Sequence, residues 1–283
     1  MKKEFPLAGM SALITGGAGG IGSGSAQLFL EDGCSVTLMG RRIDALERAR
    51  DRLQPLAQNG AKITLVVGDA MKAEDMKRAV AAATESTGRM EICVATVGGG
   101  GFRPLLLQDE KSALEEIAFN FQPTFLAIRH SIPVMAAQGG GSIVCISSEA
   151  AHQPQTWLSV YTAGKAAVEG LVKSCANELA RHNIRVNAVR PGLTRAECTQ
   201  GMFSSEAIVK ASSAARPLGR LGEPEDIAAG VRYLAGPESS WVTGQSFAIE
   251  GGGELRGPVD ISEMAEAVFG KEVMAKILAG KEV

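Results

Sequence analysis

The segment VYTAGKAA, residues 160–167, contains Tyr161, one of only two tyrosines in the chain, and Lys165 four residues later. Because four residues make about one helical turn, both side chains would lie on the same face of a helix. A free phenol titrates near pH ~10, and a neighbouring ammonium would lower the pKa of Tyr161 by about two to three units, towards the range useful for proton transfer. The spacing alone is equally that of an ordinary helix surface, so other residues must decide between the two interpretations.

Two further polar residues fall close to the ends of predicted elements. Ser148 follows the predicted strand GSIVCIS (141–147), and Asn120 lies in the helix predicted before that strand. The carboxyl ends of parallel strands meet at one edge of a sheet, so we expect Asn120, Ser148, Tyr161 and Lys165 to converge on one crevice.

Short apolar runs alternate with amphipathic helical patterns along nearly the whole chain. The runs predicted as strands are 11–15, 34–39, 62–67, 91–96, 141–147, 184–189 and 246–250. Strands that are apolar on both faces and separated by helices predict a parallel sheet covered on both sides. We therefore predict an α/β fold: a three-layer, doubly wound parallel sheet of seven strands, the Rossmann fold.

The domain organisation follows from the same pattern. No linker interrupts residues 1–253, which are predicted to form a single catalytic domain. Residues 195–217 fall outside the strand–helix rhythm and are predicted to form a mobile helical flap. Residues 254–283 are predicted to be a C-terminal helical extension, with Asp260 and Glu263 close to a capping box; it either packs on the domain or reaches a partner subunit.

Composition excludes several classes of protein. The net charge of -2 argues against a basic nucleic-acid surface. The chain has neither a signal-peptide pattern nor a long apolar run, which predicts a cytoplasmic protein without a membrane partner. The five cysteines lack metal-ligand spacing, so we expect no metal site. We expect instead that they are small core residues in a reducing compartment. They are Cys34, Cys93, Cys145, Cys175 and Cys198.

The glycine-rich segment TGGAGGIG, residues 15–22, lies between the first predicted strand and a helix. It satisfies two glycine spacings at once, one through Gly17, Gly19 and Gly22 and the other through Gly16, Gly20 and Gly22. Glycines at this position let a pyrophosphate approach backbone N–H groups and the positive end of a helix. The pattern therefore predicts a dinucleotide site, although glycine turns also occur for packing reasons.

The end of the second strand bears on which dinucleotide binds. An acidic residue there would accept a hydrogen bond from the ribose 2'-hydroxyl of NAD, but this chain has Gly40, Arg41 and Arg42. Arginine suits a 2'-phosphate, so we predict NADP rather than NAD, the alternative being that both arginines are solvated helix-entry residues. Asp69, after the third strand, could accept from the adenine amino group or serve as an ordinary turn aspartate.

Several of these motifs together resemble the classical short-chain dehydrogenase/reductase family. The resemblance covers roughly residues 8–253 and rests on TGGAGGIG, GDA, the Asn of IAFNFQP, ISS followed by YTAGK, VRPG, and GRLGEPEDIAAGVRYLAG with WVTGQSFAIEGG. It implies that the dinucleotide contacts Gly16, Gly20, Ile21, Gly22, Asp69, Ala70, Gly98, Pro191, Gly192 and Thr194, together with Arg41, Arg42, Tyr161 and Lys165.

The same resemblance implies a role for each catalytic residue. Tyr161 would be the general acid/base, Ser148 would position the substrate oxygen, Lys165 would also hold the nicotinamide ribose, and Asn120 would support a proton-relay water. The expected reaction is interconversion of a secondary alcohol and a ketone. The family also implies a homotetramer, with a dimer as the alternative.

The chain departs from the family pattern at three points. ATVGGGG (95–101) replaces an Asn-Asn-Ala-Gly turn, Ala196 replaces a threonine and leaves Thr194 to make its contacts, and Gly164 replaces a serine. The first two changes could lower cofactor affinity, and the third is expected to be tolerated.

The glycines at 98–101 are expected to open space beside the nicotinamide. The residues predicted to line the substrate pocket are Gly99, Phe102, Trp157, Met202 and Phe203, with Leu158 nearby. They favour a hydrophobic or cyclic substrate, unless some of them only pack the flap. The remaining alternatives are an NAD-dependent alcohol dehydrogenase, a 3-oxoacyl thioester reductase and a non-catalytic nucleotide-binding sensor.

Overall fold

Seven parallel strands form the central sheet of the computed structural model, which describes residues 5–283. Their order is β3-β2-β1-β4-β5-β6-β7. The predicted doubly wound sheet is confirmed, and each predicted strand lies within two residues of its observed bounds. These are β1 Ser11–Thr15, β2 Ser35–Gly40, β3 Ile63–Val67, β4 Ile92–Ala95, β5 Gly141–Ile146, β6 Ile184–Pro191 and β7 Ser246–Ile249.

Helices cover both faces of the sheet and complete the three layers. One face carries α1, α2 and α8, and the other carries α3, α4 and α5. The helices are α1 Gly20–Glu31, α2 Ile43–Leu53, α3 Ala73–Thr87, α4 Glu110–Ala137, α5 Ser159–Leu179, α6 Gln200–Phe203, α7 Glu206–Ala214, α8 Pro224–Ala235, α9 Ser262–Phe269 and α10 Lys271–Leu278.

The alternation of side chains along each strand divides the apolar core in two. In β1, Leu13 belongs to the cluster beneath α3, α4 and α5, whereas Ala12 and Ile14 belong to the cluster beneath α1, α2 and α8. All three side chains are fully buried, as expected for a strand covered on both faces. This double burial is why the strands read as continuous apolar runs in the sequence.

The winding direction reverses between β1 and β4, which are hydrogen-bonded neighbours although β2 and β3 separate them in the chain. In doubly wound sheets a crevice opens at the carboxyl ends of the two strands on either side of such a reversal. The glycine turn after β1 and the segment 96–101 after β4 therefore face each other across one crevice.

The flap and the C-terminal extension are both helical. Helices α6 and α7 lie within residues 195–217, and α9 and α10 lie within residues 254–283. The extension packs on its own domain, where Ile261, Ala265 and Met274 are buried. Within residues 5–283, no helix combines the length and apolarity needed to cross a membrane.

The predicted capping box at Asp260 is wrong by one residue. Helix α9 begins at Ser262 with Ile261 at the N-cap position. The Asp260 carboxylate instead accepts from the Ser262 N–H at 2.9 Å, because a short aspartate side chain readily closes a turn over its own backbone two residues on.

Candidate active site

The four predicted catalytic residues come from three consecutive elements. Ser148 follows β5 and starts a short 3₁₀ turn, where its Oγ accepts from the Ala150 N–H at 3.2 Å. Tyr161 and Lys165 lie in the first two turns of α5, and Asn120 lies in the middle of α4. The Ser148 hydroxyl is hydrogen-bonded to Tyr161.

Lys165 lies beneath the tyrosine. Its ammonium is 5.9 Å from the centroid of the Tyr161 ring and donates to the Ile146 carbonyl oxygen at 3.0 Å. The lysine is 3% exposed, and the Ile146 carbonyl is the acceptor for its ammonium among residues 5–283. The end of β5 thus holds Lys165 below Tyr161, on the helix face that the sequence predicted for both residues.

Burial dominates the protonation of this pair. It raises the pKa of Tyr161 to about 12 from 10.0, against the lowering effect of the hydrogen bond with Ser148. It also lowers the pKa of Lys165 to about 8 from 10.5. The prediction that Lys165 brings the pKa of Tyr161 down is wrong in this structure: burial raises that pKa, and the effect that opposes the rise comes from Ser148, not from Lys165.

The Asn120 side chain braces the turn after β4. Its Oδ1 accepts from the Gly99 N–H at 3.0 Å, and its Nδ2 donates to the Gly99 carbonyl at 2.9 Å and to the Glu116 carbonyl at 3.0 Å. This amide pairs with both backbone groups of Gly99, as a neighbouring strand would. The proton-relay role of Asn120 stays a prediction.

Two of the glycines after β4, Gly98 and Gly100, permit close contact rather than opening space. A Cβ on Gly98 would lie 2.8 Å from Lys165 Nζ and 3.0 Å from Asn120 Oδ1. A Cβ on Gly100 would overlap Glu116 Oε1 and lie 2.9 Å from Tyr161 Cδ2. The expectation of a roomy turn is therefore wrong at Gly98 and Gly100, where the backbone packs directly on these side chains. It holds at Gly101, where no atom lies within 4 Å of the position of a Cβ, and a Cβ on Gly99 would make only an ordinary contact with Phe119 at 3.9 Å.

Close packing also explains the glycine at position 164. A Cβ there would lie 2.9 Å from the Cβ of Asn120, so the absence of a side chain lets α5 approach α4 at the residue that braces the turn. The departure from the family pattern is thus matched by a close helix crossing.

A cleft of about 360 Å³ lies at the reversal point of the sheet. Its walls come from the glycine turn, the ends of β2 and β3, the segment after β4 and the start of the flap. The lining residues are Gly16, Ala18, Gly19, Met39, Gly40, Arg41, Arg42, Ala45, Gly68, Asp69, Ala70, Val97, Phe119 and Glu197. Five of the predicted cofactor residues, Gly16, Arg41, Arg42, Asp69 and Ala70, are among them.

The glycine turn is suited to a pyrophosphate. Helix α1 has no side-chain cap at Gly19 and no acidic residue in its first turn, so its N–H groups and positive end are available to an anion. Gly16 has a φ of +62°, and a Cβ on Gly22 would overlap the Gly16 carbonyl oxygen. These observations fit the dinucleotide that the sequence predicts.

The other predicted cofactor residues do not line this cleft. A Cβ on Gly20 would lie 3.2 Å from Pro224, and Ile21 packs on the apolar core. Thr194 is buried and its hydroxyl donates to the Gly192 carbonyl at 2.9 Å, so it serves its own loop.

Two acidic side chains in the cleft already have partners in the protein. Asp69 accepts from the Met71 N–H at 3.0 Å, as a turn aspartate does. Glu197, a flap residue that sequence reasoning missed, pairs with Arg42 at 3.1 Å across the cleft. No local signal marks Glu197 in the sequence, because its partner lies 155 residues away.

The predicted substrate-lining aromatics contact different parts of the chain. The Phe102 ring makes an edge contact with Phe269 of α9, at 5.8 Å between centroids. Phe203 lies under the Arg195 guanidinium at 4.4 Å, in agreement with the alternative that it packs the flap. Trp157 has a φ of +69°, which strains a bulky residue, and its carbonyl accepts from the Arg103 N–H at 2.7 Å.

Two ion pairs join the loop after Ser148 and the end of β6 to the flap and the extension. Glu149 pairs with Arg216 at 2.7 Å, and Arg190 pairs with Glu254 at 3.0 Å. Both arginines are buried. The sequence pattern did not indicate these pairs, since each joins residues more than 60 positions apart.

Comparison with known proteins identifies the family. The family model described as enoyl-(acyl carrier protein) reductase matches residues 16–254. "Dehydrogenase/reductase SDR family member 4" of Bos taurus is 33% identical over 253 residues, which span 89% of this chain and 90% of the relative. A short-chain type dehydrogenase/reductase from Mycobacterium ulcerans has a TM-score of 0.91 at 34% identity, over 95% of this chain and 98% of its own.

A second solved structure carries ligands. It is a 7α-hydroxysteroid dehydrogenase in complex with NADH and 7-oxoglycochenodeoxycholic acid, with a TM-score of 0.83 at 30% identity, over 88% of this chain and 96% of that chain. Together, the family model, the relatives and the seven-stranded fold show that this chain is an oxidoreductase of the short-chain dehydrogenase/reductase family.

Proposed function

We propose that the protein interconverts a secondary alcohol and a ketone, with NADP(H) as cofactor and Tyr161 as general acid/base. The observation that carries the proposal is the hydrogen-bonded pair of hydroxyls, Ser148 and Tyr161, above the buried Lys165 and beside the glycine turn at 98–101. That turn continues from Val97, which lines the dinucleotide cleft.

The side chains divide the work at the carbonyl oxygen. A nicotinamide dinucleotide, when bound, supplies the hydride for ketone reduction. With its pKa near 12, Tyr161 is protonated at neutral pH and can donate that proton to the ketone oxygen. Ser148 donates to the same oxygen and orients it. In the alcohol direction Tyr161 must first lose its proton, which its raised pKa disfavours.

The NADP preference is supported by charge at the end of β2. Arg41 and Arg42 line the cleft, and β2 ends in Gly40 without the acidic residue that would accept from a ribose hydroxyl. Glu197 opposes the preference, because it already pairs with Arg42. The solved relative with NADH makes NAD the alternative cofactor.

An apolar, cyclic substrate is supported by the aromatic pair Phe102 and Phe269. One solved relative is a 7α-hydroxysteroid dehydrogenase in complex with NADH and 7-oxoglycochenodeoxycholic acid, a cyclic ketone. Its substrate class is the one we extend to this chain.

The test is oxidation of NADPH and NADH, followed at 340 nm, with cyclic ketones, small keto acids and a 3-oxoacyl thioester. We expect the cyclic ketones to be reduced with NADPH preferred. Glu197→Gln should raise the affinity for NADPH about two- to threefold and leave that for NADH unchanged, because a surface pair of this kind is worth about 0.2–1 kcal/mol. Turnover led by keto acids would refute the substrate class, and a preference for NADH would refute the cofactor.

We also propose that the protein is a homotetramer, or a dimer, and that the surface around β7 and α8 forms one of its interfaces. Apolar side chains stand exposed there, with Trp241 at 99% and Tyr233 and Phe247 in contact with each other. Light scattering coupled to size-exclusion chromatography measures the oligomeric state directly. A monomer at micromolar concentration would contradict the proposal.

A further inference from the structure

Glu116 places a carboxylate next to the catalytic tyrosine without a partner for it. It lies on α4, one turn before Asn120, and its side chain reaches the turn at Gly100. Glu116 Oε1 is buried and has no hydrogen-bond donor among the residues that the structure describes. A buried acceptor in this state costs free energy, so the fold keeps Glu116 at an expense that packing does not explain.

The surroundings offer this carboxylate little compensation. Burial raises the pKa of Glu116, and the charge of Arg103 opposes that rise. Arg103 is exposed, and its guanidinium donates to the Ser112 hydroxyl at 3.4 Å. The arginine therefore supplies positive charge nearby, while its recorded hydrogen bond is to another residue.

The position of Glu116 relative to the reacting group is fixed by Gly100. A Cβ built on that glycine would meet both Glu116 Oε1 and the edge of the Tyr161 ring. The carboxylate oxygen and the phenol ring therefore both lie against Gly100. The Trp157 indole nitrogen is also buried, and the carbonyl of Trp157 accepts from the Arg103 N–H. Neither Glu116 Oε1 nor the indole nitrogen has a hydrogen-bond partner in the described part of the protein.

We infer that Glu116 is a specificity-determining residue that accepts a hydrogen bond from a hydroxyl group of the substrate, so that the preferred substrate is a hydroxyketone or the matching diol. The inference rests on the proposed alcohol–ketone chemistry and names the second functional group of its substrate. A hydroxyl is favoured over an ammonium group because Arg103 would repel a second cation. It is favoured over a purely apolar group because that would leave the carboxylate unpaired.

The test compares cyclic ketones that differ only in one substituent. The probes are 2- and 4-hydroxycyclohexanone, each against its methyl counterpart, and 4-aminocyclohexanone. For the wild-type enzyme we expect kcat/KM to favour at least one hydroxyketone over its methyl counterpart by about tenfold or more, the effect of one hydrogen bond to a charged group. Glu116→Leu should abolish this preference, and Glu116→Gln, which keeps an acceptor, should retain part of it.

The control variant is Glu115→Leu, which changes an exposed glutamate on the same helix and should leave the preference intact. If thermal unfolding shows that Glu116→Leu does not fold, the isosteric Glu116→Gln is the deciding variant. We expect its kcat/KM preference for the hydroxyketone to be at least threefold smaller than that of the wild type. Equal preference in the wild type and the variant would overturn this inference alone. A stronger preference for the amine would overturn the hydroxyl assignment, and no turnover of any ketone would overturn the proposed reaction as well.

Discussion

The two sides of the crevice are built in different ways. The side that we assign to the dinucleotide consists of strand ends and backbone glycines, such as Gly16 and Gly40, whose contacts follow from the order of the strands. The side that we assign to the substrate includes the segment after β4 and the extension, joined by the contact of Phe102 with Phe269. The comparison shows that the strand order of a sheet can determine the position of a cofactor cleft, whereas a substrate pocket depends on contacts between segments far apart in the sequence.

The largest effect is expected where the two sides meet. Tyr161→Phe removes the hydroxyl that exchanges a proton with the substrate and leaves the dinucleotide cleft unchanged, so kcat should fall about 10²- to 10⁴-fold. NADPH affinity, measured by quenching or enhancement of fluorescence, should stay within twofold. Retained turnover would remove Tyr161 from the role we give it.

Lys165 carries a buried charge, and its effect on the free energy of unfolding depends on pH. Its pKa in the folded protein is about 8 against 10.5 when exposed, so below pH 8 the charged, buried lysine lowers the free energy of unfolding. That penalty disappears as the pH rises from 8 to 10.5, where the unfolded chain still holds the proton.

Lys165→Met should therefore stabilise the protein most below pH 8, and its advantage should shrink by up to about 3 kcal/mol at pH 10.5. Urea unfolding at both pH values measures this. Lys173→Met, at an exposed lysine of the same helix, is the control, and it should show a much smaller change with pH. A constant difference for Lys165→Met would show that the lysine is not desolvated.

A glycine substitution in the glycine-rich segment after β1 should weaken cofactor binding without affecting the substrate. Gly22→Ala would push a Cβ into the Gly16 carbonyl oxygen and displace the phosphate-binding turn. We expect about tenfold weaker NADPH binding, similar to the loss of a hydrogen bond to a charged oxygen, with the KM for ketone unchanged at saturating cofactor. Gly170→Ala is the matched control, since no atom lies within 4 Å of the position of its Cβ.

The smallest effect should come from the substrate side. Phe269→Ala removes the edge contact with Phe102, worth about 0.5–1.5 kcal/mol beyond the buried area. We expect the KM for a cyclic ketone to rise about two- to tenfold, with unchanged NADPH affinity in direct titrations. The neighbouring exposed residue provides the control Val268→Ala. A change in NADPH affinity of the same size would mean that the extension serves both sides.

What the sequence could predict follows the same division. Strand β1 was predicted at its observed bounds, and the glycine turn and the end of β2 were placed correctly in the cleft, because these features depend on local residue patterns. The pairs Arg42–Glu197 and Phe102–Phe269 depend on segments far apart in the chain and left no pattern to find.

Two errors have physical causes that spacing cannot convey. The protonation of Tyr161 and Lys165 depends on how completely both are buried. Gly98 and Gly100 were predicted to open space, but they accommodate Asn120 and Glu116. Both depend on how tightly neighbouring elements pack. A residue type reports which contacts are allowed, and only the fold determines which neighbour makes them.

The ion pair between Arg190 and Glu254 makes the C-terminal extension difficult to remove. Arg190 is 7% exposed, and its guanidinium also donates to the Ser246 carbonyl at 2.7 Å. Truncation after residue 253 would leave this guanidinium buried without its carboxylate, a loss of about 3–5 kcal/mol for pairs of this kind. Residues 254–283 are therefore part of the folded structure, and a chain truncated after residue 253 would also need a neutral residue in place of Arg190.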